Sequence, residues 1–444
     1  MTDSVRVVGG GLAGSEAAWQ LAERGVPVVL HEMRPTRQTA AHRTDRLAEL
    51  VCSNTFKSTE LTNAHGLLKA ELRRLGSVVL DAADEARVPA GSALAVDRDA
   101  FAAAVSARIA GHPKITVERG EITALPTPGI IATGPLTSDA LAESIRSRLG
   151  VDRLSFYDAI APIVDGETVD KSVVFRASRY GKETMADAEE GGAYLNCPFT
   201  AAEYDAFLDA LVAADEHQAH EFDQVPYFEG CLPLEVMARR GRDVLRFGPF
   251  KPVGLIDPRT GRQPHAVAQL RMEDRGGRMW NLVGFQTRLK IGEQARVFRM
   301  IPGLAGAEFF RFGSIHRNSY VNAPAALTAH LSLRDDPRVL FAGQITGVEG
   351  YTESVATGLV AGRNLARLLA GAEPTLPPPT TMLGALYRYL READPRYFQP
   401  MNANFGLVDE MAPVRDKRRK RELLAERALG ALDEWRAGDE VAVR

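Results

Sequence analysis

Two of the three cysteines in this 444-residue chain stand in surroundings that favour a reactive thiolate. Cys52 lies in LVCSNTFK and is followed by polar residues and Lys57. Cys231 lies in FEGCLPLE, where Pro233 is suited to begin a helix that runs to Arg240. A helix N-terminus or nearby positive charge favours the thiolate over the thiol. A lone cysteine is more often an inert buried residue, but this pair predicts nucleophilic or redox chemistry.

The spacing of the cysteines restricts the redox chemistry that is open to them. The sequence contains no C-x₂-C or C-x₄-C pair, so a dithiol reductase lacks its usual motif, although Cys52 and Cys231 could still meet in space. We interpret Cys197, in NCP, as a structural residue. Three cysteines cannot form a disulfide framework, which favours a reducing compartment and a cytoplasmic location.

A glycine-rich turn near the N-terminus predicts a dinucleotide site. It lies between a strand at Val5–Val8 and a helix at 12–24, and a second strand at 26–30 leads to Glu32. The glycines allow a tight turn, close backbone approach to a pyrophosphate and helix packing, while the helix N-terminus faces the phosphate charge. Glu32 is placed to accept hydrogen bonds from ribose hydroxyls. The residues that match G-x-G-x-x-G are Gly9, Gly10, Gly11, Leu12, Ala13 and Gly14.

Two later segments favour FAD over NAD. IIATGP at 130–135, which contains Gly134, resembles the strand and turn that return beneath FAD in the glutathione-reductase-like class. GQITGVEGYTESVATG at 343–358 resembles the last FAD segment of that class, which leads a helix towards the flavin. A helix N-terminus there stabilises negative charge on a reduced flavin. From this segment we predict cofactor contacts by Gly343, Gln344, Glu349 and Gly350.

The order of these segments predicts an α/β protein with a glutathione-reductase-like FAD-binding Rossmann domain that is split by an inserted α+β domain. We place the first part of the FAD domain at 1–150, the insertion at 151–325 and the second part at 326–373. A proline-rich joint and a helical basic tail occupy 374–444. No apolar run approaches the ~18 residues that span a bilayer, and the N-terminus enters a strand, so we expect neither a membrane segment nor a secretion signal.

The composition adds few further constraints. A net charge of −3 argues against nonspecific coating of nucleic acid but permits a local basic face. The nine histidines show no zinc spacing, so no metal is implied, and nothing implies an obligate protein partner.

Seven segments, which run in order along most of the chain, carry a more specific resemblance. They resemble segments of the folate- and FAD-dependent tRNA (uracil-5-)-methyltransferases, the TrmFO family, and the chain is too short for the related, larger flavoprotein that modifies wobble uridines. The segments are GGGLAGSEAA from Gly9, HEMRP from His31, CSNTFK from Cys52, YLNCP from Tyr194, FEGCLPLEVMA from Phe228, FGPFKPVGL from Phe247 and AGQITGVEGYTES from Ala342.

The resemblance implies methylation at C5 of a T-loop uridine in tRNA, which forms 5-methyluridine. The carbon would come from 5,10-methylenetetrahydrofolate, the hydride from reduced FAD, and NADH or NADPH would re-reduce the flavin. Cys52 and Cys231 match the functional pair of the family. One would add to uracil C6 as a thiolate, and the other would assist proton removal at C5 or protect the flavin-bound intermediate. The sequence leaves open which cysteine has which role, and whether the target is tRNA or ribosomal RNA.

An RNA substrate needs positive charge to bind its phosphates. We expect this charge after the predicted Cys231 helix and in the tail, although an exposed basic helix face is an equally good interpretation of the tail. The candidate RNA-binding residues are Arg239, Arg240, Arg242, Arg415, Lys417, Arg418, Arg419, Lys420 and Arg421. Candidates for binding the glutamate tail of the folate are Lys251, Arg288 and Lys290.

Two other functions stay open from the residues alone. An NAD(P)H-dependent flavin oxidoreductase that acts on a small molecule or a dithiol would have no tRNA affinity and would turn over rapidly with NAD(P)H alone. A flavoprotein that only binds RNA or a partner would keep its activity with alanine at Cys52 and Cys231.

Overall fold

The computed structural model describes residues 4–39, 41–150, 154–181, 192–217 and 232–439. None of the helices in these ranges is long and apolar enough to cross a membrane. The strands are β1 (Val5–Val8), β2 (Val28–Glu32), β3 (Thr55–Ser58), β4 (Arg87–Val88), β5 (Ala93–Val96), β6 (Ile115–Arg119), β7 (Gly129–Ile131), β8 (Leu154–Ile160), β9 (Ile163–Asp165), β10 (Phe175–Arg176), β11 (Tyr194–Phe199), β12 (Ala266–Met272), β13 (Met279–Leu282), β14 (Phe309–Arg311), β15 (Ser314–Tyr320) and β16 (Val339–Phe341).

The α-helices follow the same chain order. They are α1 (Leu12–Glu23), α2 (Ala64–Arg74), α3 (Val78–Glu85), α4 (Arg98–Gly111), α5 (Asp139–Leu149), α6 (Ala201–Val212), α7 (Leu234–Arg239), α8 (Val244–Phe247), α9 (Ile291–Phe298), α10 (Ala323–Ala326), α11 (Tyr351–Leu369), α12 (Met382–Glu392) and α13 (Lys417–Asp439).

A five-stranded parallel sheet, in the order β16-β7-β1-β2-β6, forms the centre of the first unit. Its inner strands are mostly apolar and buried, as in Val5–Val8 and Gly129–Ile131, which is typical of a parallel sheet. Four of the strands come from residues before 132, whereas β16 comes from Val339–Phe341. The predicted α/β class and the split of the dinucleotide unit in sequence are therefore confirmed. The domain boundaries at 150, 325 and 373 stay a prediction.

Local sequence signals explain where the first elements begin and end. The predicted helix at 12–24 is confirmed as α1, and Gly25, with a φ of 87°, follows its last residues. The second strand begins at Val28, two residues later than predicted, because Pro27 has no N–H to donate within the sheet. Asp97 caps α4, since its side chain accepts from the backbone N–H of Ala100.

Helices α1 and α11 pack backbone to backbone on one face of the parallel sheet. A Cβ on Gly358 would lie 2.3 Å from the carbonyl oxygen of Ala13, and one on Gly362 would lie 2.6 Å from that of Ala17. Both helices follow parallel strands, so both N-termini lie at the carboxyl edge of the sheet. The two ends of a dinucleotide site are thereby brought to one edge.

The second unit is built on a six-stranded antiparallel arrangement, in the order β10-β11-β12-β13-β9-β14. Aromatic side chains fill its core, among them Phe199, Phe207, Phe250 and Phe285. Strands β8 and β15 pair with each other as an antiparallel ribbon. This ribbon carries the chain away from the parallel sheet and back to it.

The last part of the chain packs against the first unit. Glu71 accepts hydrogen bonds from the backbone N–H groups of Met382 and Leu383, at 2.7 and 2.8 Å, and so caps α12. Arg74 contacts Asp433 and donates to the carbonyl oxygen of Leu429, both on α13. The predicted helical tail is thus attached to α2 along its second half.

Candidate functional site

The glycine turn before α1 has the geometry that a pyrophosphate requires. Gly9 has a φ of 105°, and a Cβ on Gly14 would lie 1.8 Å from the carbonyl oxygen of Gly9. No described atom lies within 4 Å of the position that a Cβ on Gly11 would take, so this side of the turn is open to a ligand. Gly11 precedes α1 and has no side chain to cap it, which leaves the first amides of the helix directed at that space.

A cleft of about 560 Å³, measured out to open solvent, continues from this turn. Among its lining residues are Gly9, Gly10, Gly11, Glu32, Arg34, Thr133, Thr137 and Ser138. Gly134, with a φ of 64°, turns the chain between Thr133 and Thr137 along one wall of the cleft. The cleft fits the adenosine part of a dinucleotide, with the phosphates at the glycine turn.

Glu32 is held by an arginine that the sequence analysis did not single out. One carboxylate oxygen accepts from the backbone N–H and the Nε of Arg34, at 3.0 and 2.9 Å. The other accepts from the N–H of Gly10 at 3.0 Å and from Arg34 Nη2 at 3.1 Å. Burial alone would raise the pKa of Glu32, but the hydrogen bonds and charge of Arg34 hold it below its ordinary value. Glu32 therefore braces the glycine turn as an anion, and its contact with ribose stays a prediction.

The four residues predicted to contact the flavin end lie in one turn before α11. Gln344 donates to Glu349 at 2.6 Å, and the N–H of Gly343 donates to the Thr357 hydroxyl at 2.7 Å. Gly350 has a φ of 116° and immediately precedes α11. We call residues 343–350 the flavin-facing turn, after the cofactor contacts that the sequence predicts for it. The turn lies at the N-terminus of a 19-residue helix, which carries the positive end of the helix dipole.

A buried carboxylate in the first turn of α11 supports the same region. Glu353 is in contact with His65 Nδ1 at 3.1 Å and accepts from the N–H of Ala403 at 2.9 Å. Burial would raise the pKa of Glu353, but the hydrogen bond from His65 and the charge of Lys57 lower it. The ionised side chain therefore stabilises the N-terminus of the helix.

A segment near the C-terminus braces the flavin-facing turn. The N–H of Glu349 donates to the carbonyl oxygen of Met401 at 2.8 Å, and the N–H of Met401 donates to that of Gly347 at 3.0 Å. A Cβ on Gly347 would lie 2.4 Å from the ring of Phe398. We call residues 398–403 the C-terminal brace. No motif marks it in the sequence, since its contacts are made mainly by the backbone.

The loop that carries Cys52 is attached to the first residue of α11. The Tyr351 hydroxyl accepts from the N–H groups of Cys52 and Ser53, both at 3.0 Å, and donates to the carbonyl oxygen of Ser53 at 2.9 Å. Arg98 donates to the carbonyl oxygens of Leu50 and Cys52, at 2.5 and 3.0 Å. Cys52, which is partly exposed, therefore lies beside the flavin-facing turn. Its catalytic role stays a prediction.

Cys231 lies outside the described residues. The helix predicted to follow it is confirmed as α7, Leu234–Arg239, and Gly241 has a φ of 147° just after its end. Pro233 immediately precedes the helix, whereas we predicted it as the first helical residue.

Cys197 is confirmed as a structural residue. It lies on β11 with a fully buried side chain in the core of the antiparallel unit. Burial raises the pKa of its thiol to about 12, so it stays protonated at neutral pH.

The arginines at the end of α7 and just after it are exposed, and two of them already contact acidic partners. Arg239 contacts Glu216, and Arg242 contacts Asp205 at 2.9 Å and Asp209 at 2.7 Å. A phosphate would have to displace these carboxylates, which lowers the gain from binding it. Arg240 is also exposed. Their role in RNA binding stays a prediction.

The residues predicted to bind the folate, and those predicted to bind RNA in the tail, differ in their partners. Arg288 lies against Glu216, and Lys290 against Asp215 at 3.2 Å, whereas Lys251 is exposed. The six tail residues predicted to bind RNA are all exposed, in and just before the first turns of α13. Arg418 and Arg419 contact Glu422 at 3.3 and 3.2 Å, which fits both an RNA-binding face and a solvated one.

The split parallel sheet, the glycine turn and the second helix N-terminus define a dinucleotide-binding protein of the Rossmann type. The family model described as glucose inhibited division protein A matches residues 4–373. The Geobacter sulfurreducens "Methylenetetrahydrofolate--tRNA-(uracil-5-)-methyltransferase TrmFO" is 57% identical, over 98% of this chain and 100% of the relative. The protein of the same name from Desulforudis audaxviator is 56% identical, over 98% of both chains. The chain belongs to the TrmFO family, as its motifs predicted.

A solved structure supports the fold. The Aquifex aeolicus GidA structure in the form II crystal superposes with a TM-score of 0.67, over 97% of this chain and 73% of that chain. The two sequences are 16% identical, so this likeness concerns the fold alone.

Proposed function

We propose that this protein methylates C5 of a uridine in the T arm of tRNA, with 5,10-methylenetetrahydrofolate as the carbon donor and FAD as the bound cofactor. The observation that carries the proposal is the attachment of the Cys52 loop to α11 through Tyr351. It places a partly exposed thiol beside the turn that would face the flavin. The TrmFO relatives, whose name states this activity, support the same conclusion.

The N-termini of α1 and α11 would each bind one end of FAD. The glycine turn and Glu32 would hold the adenosine diphosphate part, and the flavin-facing turn would hold the other end. When bound and reduced, FAD supplies the hydride that completes the methyl group. We propose NADH or NADPH as the reductant that restores it, and the cytoplasm as the location.

The cysteines would supply the nucleophile that uracil needs. A thiolate adds to C6, which makes C5 able to attack the methylene carbon of the folate. The proton on C5 is then lost as the bond from the methylene carbon to the folate nitrogen breaks, which releases tetrahydrofolate. The thiolate would leave C6 when a hydride is added to the new carbon. One of Cys52 and Cys231 would be the nucleophile, and the other would assist the remaining steps. Basic residues after α7 and in the tail would bind the RNA phosphates.

Positive charge around Cys52 favours its thiolate form. Arg311 donates to the carbonyl oxygen of Val51 at 3.2 Å, and Arg98 donates to that of Cys52. Burial lowers the pKa of Arg311 to about 10, helped by the charges of Arg98 and Arg43, so it remains a cation at neutral pH.

The direct test is mass analysis of tRNA that lacks 5-methyluridine, after incubation with the purified protein, methylenetetrahydrofolate and NADH. We expect 5-methyluridine to form only when the folate is present. Cys52→Ala and Cys231→Ala should each abolish it, whereas Cys197→Ala, at a buried structural position, should retain it. If NADH is consumed but no 5-methyluridine forms, the protein is instead a flavin oxidoreductase or acts on another RNA.

A further inference from the structure

The antiparallel unit reaches the Cys52 loop at the end of β12. Asn54 is buried, and its side chain donates to the carbonyl oxygens of Val96 and Met272, both at 2.9 Å. The side-chain oxygen Oδ1 of Asn54 accepts a hydrogen bond from Arg271 Nε at 3.0 Å. Met272 and Arg271 belong to β12, so the cysteine loop is joined directly to the other unit.

A second connection passes through Arg98 and Glu273. Arg98 Nε donates to Glu273 Oε2 at 2.5 Å, while its two terminal nitrogens bind the carbonyl oxygens of Leu50 and Cys52. Glu273 follows β12 and is 0% exposed, and its other oxygen lies 3.7 Å from Arg271. All three nitrogens of one rigid guanidinium thus donate hydrogen bonds, one towards the antiparallel unit and two towards the loop.

This arrangement is better suited to fixing geometry than to adding stability. A buried ion pair gains little net free energy, because desolvation of both charges offsets their attraction. Burial would lower the pKa of Arg98, but the attraction and hydrogen bond of Glu273 raise it above its ordinary value, so the arginine stays charged. A planar fork held at one end by a carboxylate fixes the direction of the bonds at its other end.

We infer that Arg98 and Glu273 are a positioning pair through which the antiparallel unit fixes the Cys52 loop and the charge beside its thiol. The inference rests on the proposed thiol chemistry of Cys52. It assigns to Glu273, which belongs to the other unit, a function at the nucleotide-binding edge.

The charges around the loop predict how each substitution in the pair would change the ionisation of Cys52. The charged residues that face the loop are Arg98, Arg311 and Glu273. Arg43 lies beyond the two arginines, Arg271 lies beside Glu273, and Tyr351 is the neighbouring phenol. Loss of the negative charge of Glu273 leaves Arg98 less compensated and favours the thiolate. Loss of the charge of Arg98 has the opposite effect. An ion pair that joins the two units at a distance from the thiol would produce no such opposed shifts.

The test is the pH dependence of iodoacetamide alkylation at Cys52, in full-length FAD-bound protein with Cys231→Ser; the remaining thiol, Cys197, is buried. We expect Glu273→Gln to lower the alkylation midpoint by at least about 0.3 pH unit and Arg98→Gln to raise it by a similar amount. Arg98→Lys should keep the midpoint, since the charge remains. With Cys231 intact, Glu273→Gln and Arg98→Lys should each slow methyl transfer at saturating substrate about 10-fold or more. Each variant loses the charged guanidinium–carboxylate contact that orients the loop.

The matched control is Asp257→Asn, which removes another buried carboxylate of the antiparallel unit, paired with Arg259 at 2.7 Å. If Glu273→Gln matches this control in midpoint and rate, with normal FAD content, the inference is wrong. Should Arg98→Gln fail to fold, the near-isosteric Glu273→Gln and the charge-conserving Arg98→Lys decide the question. A protein that shows the shifts but never methylates tRNA would overturn the proposed function and leave the positioning pair intact.

Discussion

At the scale of single residues, Arg34 determines the charge at the ribose end of the dinucleotide site. It is almost fully buried, makes three hydrogen bonds to Glu32, and contacts Glu49 at 3.0 Å. The acidic residue at the end of β2 was predictable, because it follows the glycine motif at a fixed distance. The pairing of Arg34 with this carboxylate was not predictable, because the motif specifies no partner for it.

Replacing Arg34 tests this account. In Arg34→Gln, the burial of Glu32 remains while the cation that lowers its pKa is lost, so the pKa should rise. We expect FAD affinity to fall about 10-fold or more, which is about 1.4 kcal/mol. The loss should deepen as the pH falls, because Glu32 in the variant takes up its proton at a higher pH than in the unsubstituted protein. Flavin fluorescence titrations would measure both effects.

Arg46→Gln is the matched control, since Arg46 is an exposed arginine that contacts Asp99 at 3.5 Å. It should bind FAD as the unsubstituted protein does. An Arg34→Gln protein with normal affinity at every pH would show that Glu32 needs no cation.

At the scale of elements, the sequence predicts those parts whose signal is local. The glycine turn, α1 and the start of α7 follow from motifs and capping residues in a few consecutive positions. The C-terminal brace at 398–403 and the contact of Glu273 with Arg98 join residues far apart in the chain, without a motif. Backbone hydrogen bonds and single long side chains leave no periodic pattern, so only the folded structure reveals these contacts.

The packing of α1 on α11 makes an element-scale prediction. Gly358→Ala places a Cβ 2.3 Å from the Ala13 carbonyl oxygen and must force the two helices apart. Such overpacking costs about 1–3 kcal/mol. We expect the free energy of unfolding in urea to fall by that amount and FAD retention to fall with it, because the two helix N-termini separate.

A glycine in the last helix supplies the contrast. No described atom lies within 4 Å of a Cβ on Gly430, in α13, so Gly430→Ala should raise helix stability by up to about 1 kcal/mol. Equal effects at Gly358 and Gly430 would show that close packing is not what requires glycine at Gly358.

At the scale of the whole molecule, the cysteine loop and the flavin-facing turn are held by three parts of the chain. The parallel unit provides Tyr351, the antiparallel unit provides Glu273 through Arg98, and the C-terminal part provides Met401. The tail was predicted as a helical basic segment, either an RNA-binding face or an exposed basic helix face. Its contacts with α2 and with the flavin-facing turn show that this part of the chain also has a structural role.

The C-terminal brace can be tested by removing one backbone N–H. Met401→Pro deletes the donor to the Gly347 carbonyl oxygen, whereas Met401→Ala keeps the donor and removes only the side chain. If the backbone ladder orders the flavin-facing turn, Met401→Pro should lose FAD during gel filtration and Met401→Ala should retain it. Both should keep the melting temperature of the antiparallel unit, which does not contain the brace. Loss of FAD in both variants would place the contribution in the methionine side chain, and retention in both would mean that the turn is ordered without the brace.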